Sequence, residues 1–120
     1  VTATASSIKL ANIAAAAAAE KIGENIVALD VSEVMPLTDI FLMVSGRNER
    51  QVQSISDEIQ VKMHEAGHKV LREEGKTLGR WILLDFGDVI CHVMHEQDRE
   101  FYSIERLWKD SPVVKLDAVV

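Results

Sequence analysis

The chain has a single cysteine, Cys91, so no internal disulfide can hold its 120 residues together. Because Cys91 lies in an apolar stretch, a buried, inert thiol in a reducing compartment is expected. A long hydrophobic run is also missing. The longest uncharged stretch inside the fold, Leu10 to Ala19, is mostly alanine, well short of the ~20 strongly apolar residues that cross a bilayer. The first residues, Val1 to Ala5, lack the charged start and leucine-rich core of a secretion signal. Positive charge is scarce as well. Thirteen basic residues against nineteen acidic ones leave a net charge of −6, which opposes attraction to a phosphate backbone and favours a basic partner surface. Little direct nucleic-acid contact is expected, with one exception to check: Arg47, Arg50, Arg72, Lys76 and Arg80 could cluster in space. No cysteine pair, glycine-rich phosphate loop or nucleophile with a base at readable spacing appears. The expectation is a soluble, cytoplasmic protein with no cofactor, no metal and no membrane contact.

What is present suffices for one core: 48% of the residues are hydrophobic, enough for a single domain of this length without staples. Ser6 and Ser7 can cap a first helix over about 7–22, with Gly23 as its stop. Leu10, Ile13, Ala14, Ala17 and Ile22 give that helix a shallow apolar stripe suited to close packing on a sheet. The β-prone run 26–31 and the run 39–45 read as two strands separated by Pro36, the second buried on both faces because it barely alternates. Asn48 and Gln51 make a capping pair for a helix whose Val52, Ile55, Ile59, Met63 and Ala66 recur at helical spacing until Gly67. A short strand over 69–73 and a polar loop follow. Trp81 to Asp85 and Val89 to His95 form an antiparallel hairpin around Phe86-Gly87. Asp98 can cap a last helix, with Phe101, Ile104, Leu107 and Trp108 as its inward stripe.

Three constellations invite chemistry. His64-Glu65-Ala66-Gly67-His68 matches the zinc pattern in which two histidines sit one helical turn apart, yet Gly67 interrupts the helix that the geometry needs. Ser45-Gly46 with Asp85 and Asp88 suggests a nucleotidyltransferase site, but metal-holding aspartates there alternate on one strand, and these two straddle a turn, where they satisfy N–H groups instead. Cys91, His92, His95 and Glu96 are split between opposite strand faces. A nucleotidyltransferase-like or metal-dependent enzyme thus stands as the alternative to a non-enzymatic binding protein.

The favoured feature is one strand face. Trp81, Leu83 and Asp85 share it, and His92 with Met94 share a face of the next strand; large amphipathic or flexible side chains there make an adhesive surface. Trp81 has two readings, a surface anchor or a ring packed under a helix.

Several segments in order resemble the ribosomal silencing factor family, also called RsfS or Iojap: Leu29-Asp30-Val31, Thr38-Asp39-Ile40-Phe41, Ser45-Gly46, Gly79-Arg80-Trp81, Leu84-Asp85-Phe86-Gly87-Asp88-Val89-Ile90, His92-Val93, Arg99-Glu100-Phe101-Tyr102 and Leu107-Trp108. The resemblance implies an α/β (α+β) domain over 1–112 with a short tail over 113–120. Its five-stranded mixed sheet would be flanked by helices, nucleotidyltransferase-like but without the catalytic carboxylates. It also implies docking on the large ribosomal subunit through its fourteenth protein, a basic one, blockage of small-subunit joining, and homodimer formation. Arg80, Trp81, Leu83, Asp85, Asp88, His92 and Met94 are the expected partner-binding residues.

Overall fold

The computed structural model describes residues 2–117. Its elements run α1 (Ala5–Glu20), β1 (Glu24–Asp30), β2 (Ile40–Gly46), α2 (Glu49–Glu65), β3 (Arg72–Glu74), β4 (Trp81–Asp85), β5 (Val89–His95), α3 (Glu96–Tyr102), a 3-10 turn (Ile104–Trp108) and β6 (Val113–Val114). The strands form one mixed sheet in the order β3-β4-β5-β2-β1-β6. Only β2 and β5 pair in parallel among the described residues, a geometry that needs a long crossover, here supplied by α2, β3 and β4. At the centre of the sheet, every residue of β2 is buried.

The α/β class agrees with expectation, but the sheet has six strands among the described residues where five were expected. The additional strand comes from the segment read as a tail: Val113 and Val114 pair with Leu29 and Ala28 on the outer edge of β1. Two residues carry no readable alternation, and only the facing edge makes them a strand. The end of that expected tail, 118–120, lies outside the described residues. β3 is also shorter and later than the expected 69–73, because pairing exists only where β4 opposes it, from Arg72 with Asp85 to Glu74 with Leu83.

Alanine is the strongest helix former, and α1 exploits its small size to lie close on the sheet: Ala11, Ala14, Ala15 and Ala18 are fully buried. The helix begins earlier than expected. Thr4 is the cap, accepting from the Ser7 N–H at 3.2 Å, while Ser7 itself is buried and donates its hydroxyl to Asp39 at 2.8 Å. At the other end the Ile22 N–H donates to Ala19 O and the Gly23 N–H to Ala18 O, the double bond pattern that closes many helices. The left-handed position in it belongs to Ile22 (φ 63°) and not to Gly23. Gly23 has a different task, since a Cβ there would stand 2.6 Å from Val44 Cγ2.

The two sheet faces are covered unequally. On one, α1 and α2 bury Ile40, Leu42, Val44, Ile82, Leu84 and Val93 under Val52, Ile55, Ile59 and Met63. Cys91 lies in this core, and burial pushes its thiol up to about 12, so it is inert at neutral pH. On the other, no long helix lies over Leu29, Phe41, Met43 and Met94 among the described residues; they pack with Ile104 and Trp108 from the C-terminal segment and with Met35 and Trp81. Phe41 meets Trp108 edge-on with ring centres 5.0 Å apart.

His92 lies on this second face, 7% exposed, and burial pushes its imidazole down from 6.5 to about 4.

Two measurements follow from this architecture. Ile22 is 70% exposed and a left-handed Ile is strained, so Ile22→Gly is expected to stabilise the fold by roughly 0.5–1 kcal/mol, the strain relief less the entropy of glycine. The urea midpoint should rise; a fall would show that the turn carries no strain. For His92, the unfolded chain takes up a proton as pH falls below 6.5 while the folded chain resists until about 4. Stability is therefore lost across that window as pH falls, by about 3 kcal/mol at most, and this group adds no further loss below it. The difference in melting temperature between the unaltered chain and His92→Leu should change across pH 6.5 to 4; a constant difference would contradict the burial argument.

Candidate functional site

The β4–β5 hairpin has the strand bounds read from the sequence. Its turn is closed by the Phe86 N–H donating to Val89 O at 2.9 Å, with Gly87 at φ 91°, where a side chain would be strained. Asp85 Oδ1 accepts from the Gly87 N–H at 2.8 Å. The Asp88 carbonyl accepts from the Asp39 and Ile40 N–H groups, tying the turn to the start of β2. Asp85 therefore satisfies a turn N–H, as its spacing suggested, whereas Asp88 does not: it acts through its backbone carbonyl, toward β2, and its side chain is exposed. Ser45, the third member of the imagined nucleotidyltransferase set, is buried and its hydroxyl accepts from Arg99 Nη1 at 3.0 Å. The zinc pattern also comes apart: α2 ends at Glu65, Gly67 turns left-handed at φ 91°, and the His68 N–H folds back to Met63 O, so the two histidines do not share a helical face.

Along β4 the alternation is as read. Ile82 and Leu84 enter the core under the helices, while Trp81, Leu83 and Asp85 are half-buried on the opposite face. Met94 and His92 stand beside Trp81 and Leu83 in register, so the shared face is present. Their depth is not as expected. Met94 is fully buried and His92 nearly so, beneath the surface they were expected to form. Rings and side chains distant in sequence cause this: Trp81, Phe41, Ile104 and Trp108 close over them.

Trp81 falls between its two readings. Its ring is half-buried on the face away from α1 and α2. Nε1 donates to His92 Nδ1 at 3.1 Å, and Tyr102 lies tilted against the ring at 5.4 Å. Tyr102 in turn meets Phe101 edge-on at 5.0 Å. Phe101 is 81% exposed and Leu107 79%, contrary to the inward stripe expected of one continuous helix. Ser103, left-handed at φ 49°, breaks that helix, so only Ile104 and Trp108 turn inward. Sequence reasoning thus missed Phe101 and Tyr102 as surface residues, and also the exposed Leu71, whose N–H bonds to Asp85 O. No local pattern announces a left-handed serine, although its hydroxyl, which bonds to Glu100 O, belongs to a residue type that competes with helix geometry.

Arg80 is half-buried and shared between α2 and α3, through Glu49 at 3.3 Å and a short contact with Asp98. The hydrogen bond from Arg80 to Asp98, above all, raises the Arg80 pKa still further. Asp98 is therefore an ion-pair partner and not the helix cap; His95 caps α3, its Nδ1 accepting from the Gln97 N–H at 3.1 Å. The basic residues that could have formed a patch are largely matched by acids: Arg47 with Glu24, Arg72 with Glu74, Lys76 with Asp57, and Arg80 as above.

The C-terminal segment is clasped by Arg99, itself buried. Its Nη1 donates to Asn25 O at 2.6 Å and to Ser45, and its Nε and Nη2 both reach Glu105 Oε2. Asn25 sits at a β-bulge in β1 with φ 52°, which presents its carbonyl to the guanidinium.

What results is an apolar, partly aromatic surface on the thinly covered face, with carboxylates at one end. Its features are those of a docking surface.

Comparison with known proteins agrees with the fold. A family model described as "Ribosomal silencing factor during starvation" matches residues 4–120. The ribosomal silencing factor RsfS of Bacillus subtilis is 43% identical over 105 residues, 88% of this chain and 89% of that protein. Its counterpart in Halalkalibacterium halodurans is 38% identical, covering 93% of this chain and 96% of that protein. A crystal structure of a Chromobacterium violaceum protein superposes with a TM-score of 0.82 at 36% identity, covering 84% of each chain. A more distant relative, 31% identical over 70% of this chain and 38% of its own length, is the mouse protein named for mitochondrial assembly of the ribosomal large subunit. This chain belongs to the ribosomal silencing factor (RsfS) family.

Proposed function

We propose that this protein docks on the large ribosomal subunit through the surface around Trp81 and Leu83, and that its bulk there blocks joining of the small subunit and so represses translation. The observation that carries the reading is the uneven cover of the sheet. One face is sealed by two helices, while the other leaves Trp81 and Leu83 half-open beside Tyr102 and Phe101. Half-buried aromatic anchors ringed by weaker contacts are typical of residues that dominate binding energy.

Charge supports a basic ribosomal protein as the immediate contact, the fourteenth protein of the subunit in the family the chain belongs to. The net charge of −6 steers the domain toward a cationic surface and away from RNA, and the exposed Asp88 with half-buried Asp85 lies at the end of the apolar strip. In this reading Trp81 and Leu83 make the apolar contact, Asp85 and Asp88 meet positive charge, and Arg80 holds α2 and α3 in place beside them. His92 and Met94 support from below. Blocking needs no bond-making group: a body of 37 × 32 × 27 Å seated on the joining face excludes a second subunit by volume. Action in the cytoplasm, where subunits associate, completes the proposal.

Co-sedimentation with purified large subunits, with and without small subunits, tests it. Trp81→Ala should weaken binding by about 2 kcal/mol or more, roughly thirtyfold, with circular dichroism unchanged. Leu83→Asp should act in the same direction and restore subunit joining in the mixture. Normal binding by both folded variants would overturn the proposed surface.

A further inference from the structure

We propose that His92 is a positioning residue for that docking surface: its Nδ1, by accepting from the Trp81 indole, holds the ring in the single orientation a partner meets. The inference rests on the docking reading above and reassigns His92 from a contact residue to the support of one.

The case begins with a buried side chain that has a partner for only one of its two ring nitrogens. Because Nδ1 accepts from Trp81 Nε1 at 3.1 Å, the ring proton of the neutral imidazole is on Nε2. That Nε2–H is buried, and among the described residues it meets no hydrogen-bond acceptor. The register partners of His92 are Leu83 on β4 and Met43 on β2, and the Phe41 ring stands edge-on to the imidazole with centroids 5.0 Å apart. Burial alone shifts its titration, so no neighbouring charge rewards a histidine at this place. An aliphatic side chain of similar volume would remove the orphaned Nε2–H, but it would also leave the Trp81 indole N–H without its acceptor, to be satisfied by water at the half-buried edge of that ring, so the exchange is expected to change stability little. A residue that leaves a buried donor unpaired for little net gain in the fold is expected where function needs it.

What histidine supplies and an aliphatic chain cannot is the acceptor for Trp81. An indole on a strand has two broad χ2 orientations, and Tyr102, at 5.4 Å and tilted by 45°, touches the ring without a hydrogen bond to fix it. The His92 bond selects the orientation that turns Nε1 inward, so the carbon edge of the ring is the part left for a partner. An anchor ordered beforehand spares the ordering cost at docking.

The test compares His92→Leu, His92→Phe and His92→Asn, with Trp81→Ala as reference. The readouts are dissociation constants for purified large subunits, melting temperatures, and the Trp81 indole N–H resonance in nitrogen-15 NMR, identified by its disappearance in Trp81→Ala. His92→Leu is expected to melt close to the unaltered chain at pH 7.5, the lost bond being offset by removal of the unpaired Nε2–H, to shift the indole resonance toward its water-exposed position, and to weaken binding about tenfold, the worth of one good hydrogen bond. His92→Asn, whose Oδ1 replaces the Nδ1 acceptor, should recover most of the affinity and the resonance. In the Trp81→Ala background, His92→Leu should add no further loss.

Normal binding by folded His92→Leu while Trp81→Ala fails would overturn the positioning role and leave the docking surface standing. Normal binding by both would overturn the docking surface itself. Independent, additive losses would show that His92 does not act through Trp81. If His92→Leu and His92→Phe both unfold, the imidazole serves the fold, and the proposal is wrong.

Discussion

How much of the second sheet face remains open depends on the Arg99 clasp. A buried guanidinium must be compensated, and this one is, by Glu105, the Asn25 carbonyl and the Ser45 hydroxyl. Those partners come from β1, β2 and the C-terminal segment itself. The clasp therefore fixes where α3 ends and where the following 3-10 turn lies, and so places Ile104 and Trp108 over Phe41, Met43 and Met94. The same placement leaves Phe101, Tyr102 and Leu107 outside and stops the cover short of Trp81 and Leu83. A continuous helix from Glu96 to Trp108 would have presented a different stripe to the sheet.

Two of the three residues that the sequence offers for nucleotidyl transfer have other partners in the fold. Ser45 belongs to the Arg99 clasp and Asp85 to its own turn. A fold alone does not imply an activity; local geometry decides. The charges follow a similar logic. Basic side chains are held by acidic neighbours at Glu24, Glu49, Glu74 and Asp57, so the acidic surplus of the sequence is not offset by a concentrated positive field at those positions.

Legibility of the sequence varied with the range of the interaction that set each element. The hairpin bounds at Trp81–Asp85 and Val89–His95 were readable because period-two alternation and a glycine turn are local. The start of α2 was readable because Asn48 accepts from the Gln51 N–H, three residues on. The start of α1 was misplaced for a reason outside the helix: Asp39 takes the Ser7 hydroxyl, leaving Thr4 to cap. Gly23 looked like a helix stop because glycine usually is one, yet its role is set by Val44 pressing against it. β6 had no signal of its own and exists because the edge of β1 was free to pair.

The sequence by itself determined which side chains share a face. Alternation in an extended strand is a covalent fact, so Trp81, Leu83 and Asp85 had to point together, away from Ile82 and Leu84. Only the tertiary structure decided their depth. His92 and Met94 lie on the predicted face but under it, and Phe101 lies outside the core it was expected to join, because burial is set by what arrives from elsewhere in the chain. Direction follows from the backbone period of a few neighbouring residues; exposure follows from long-range packing, here the route that Ser103 and Arg99 impose on the C-terminal segment.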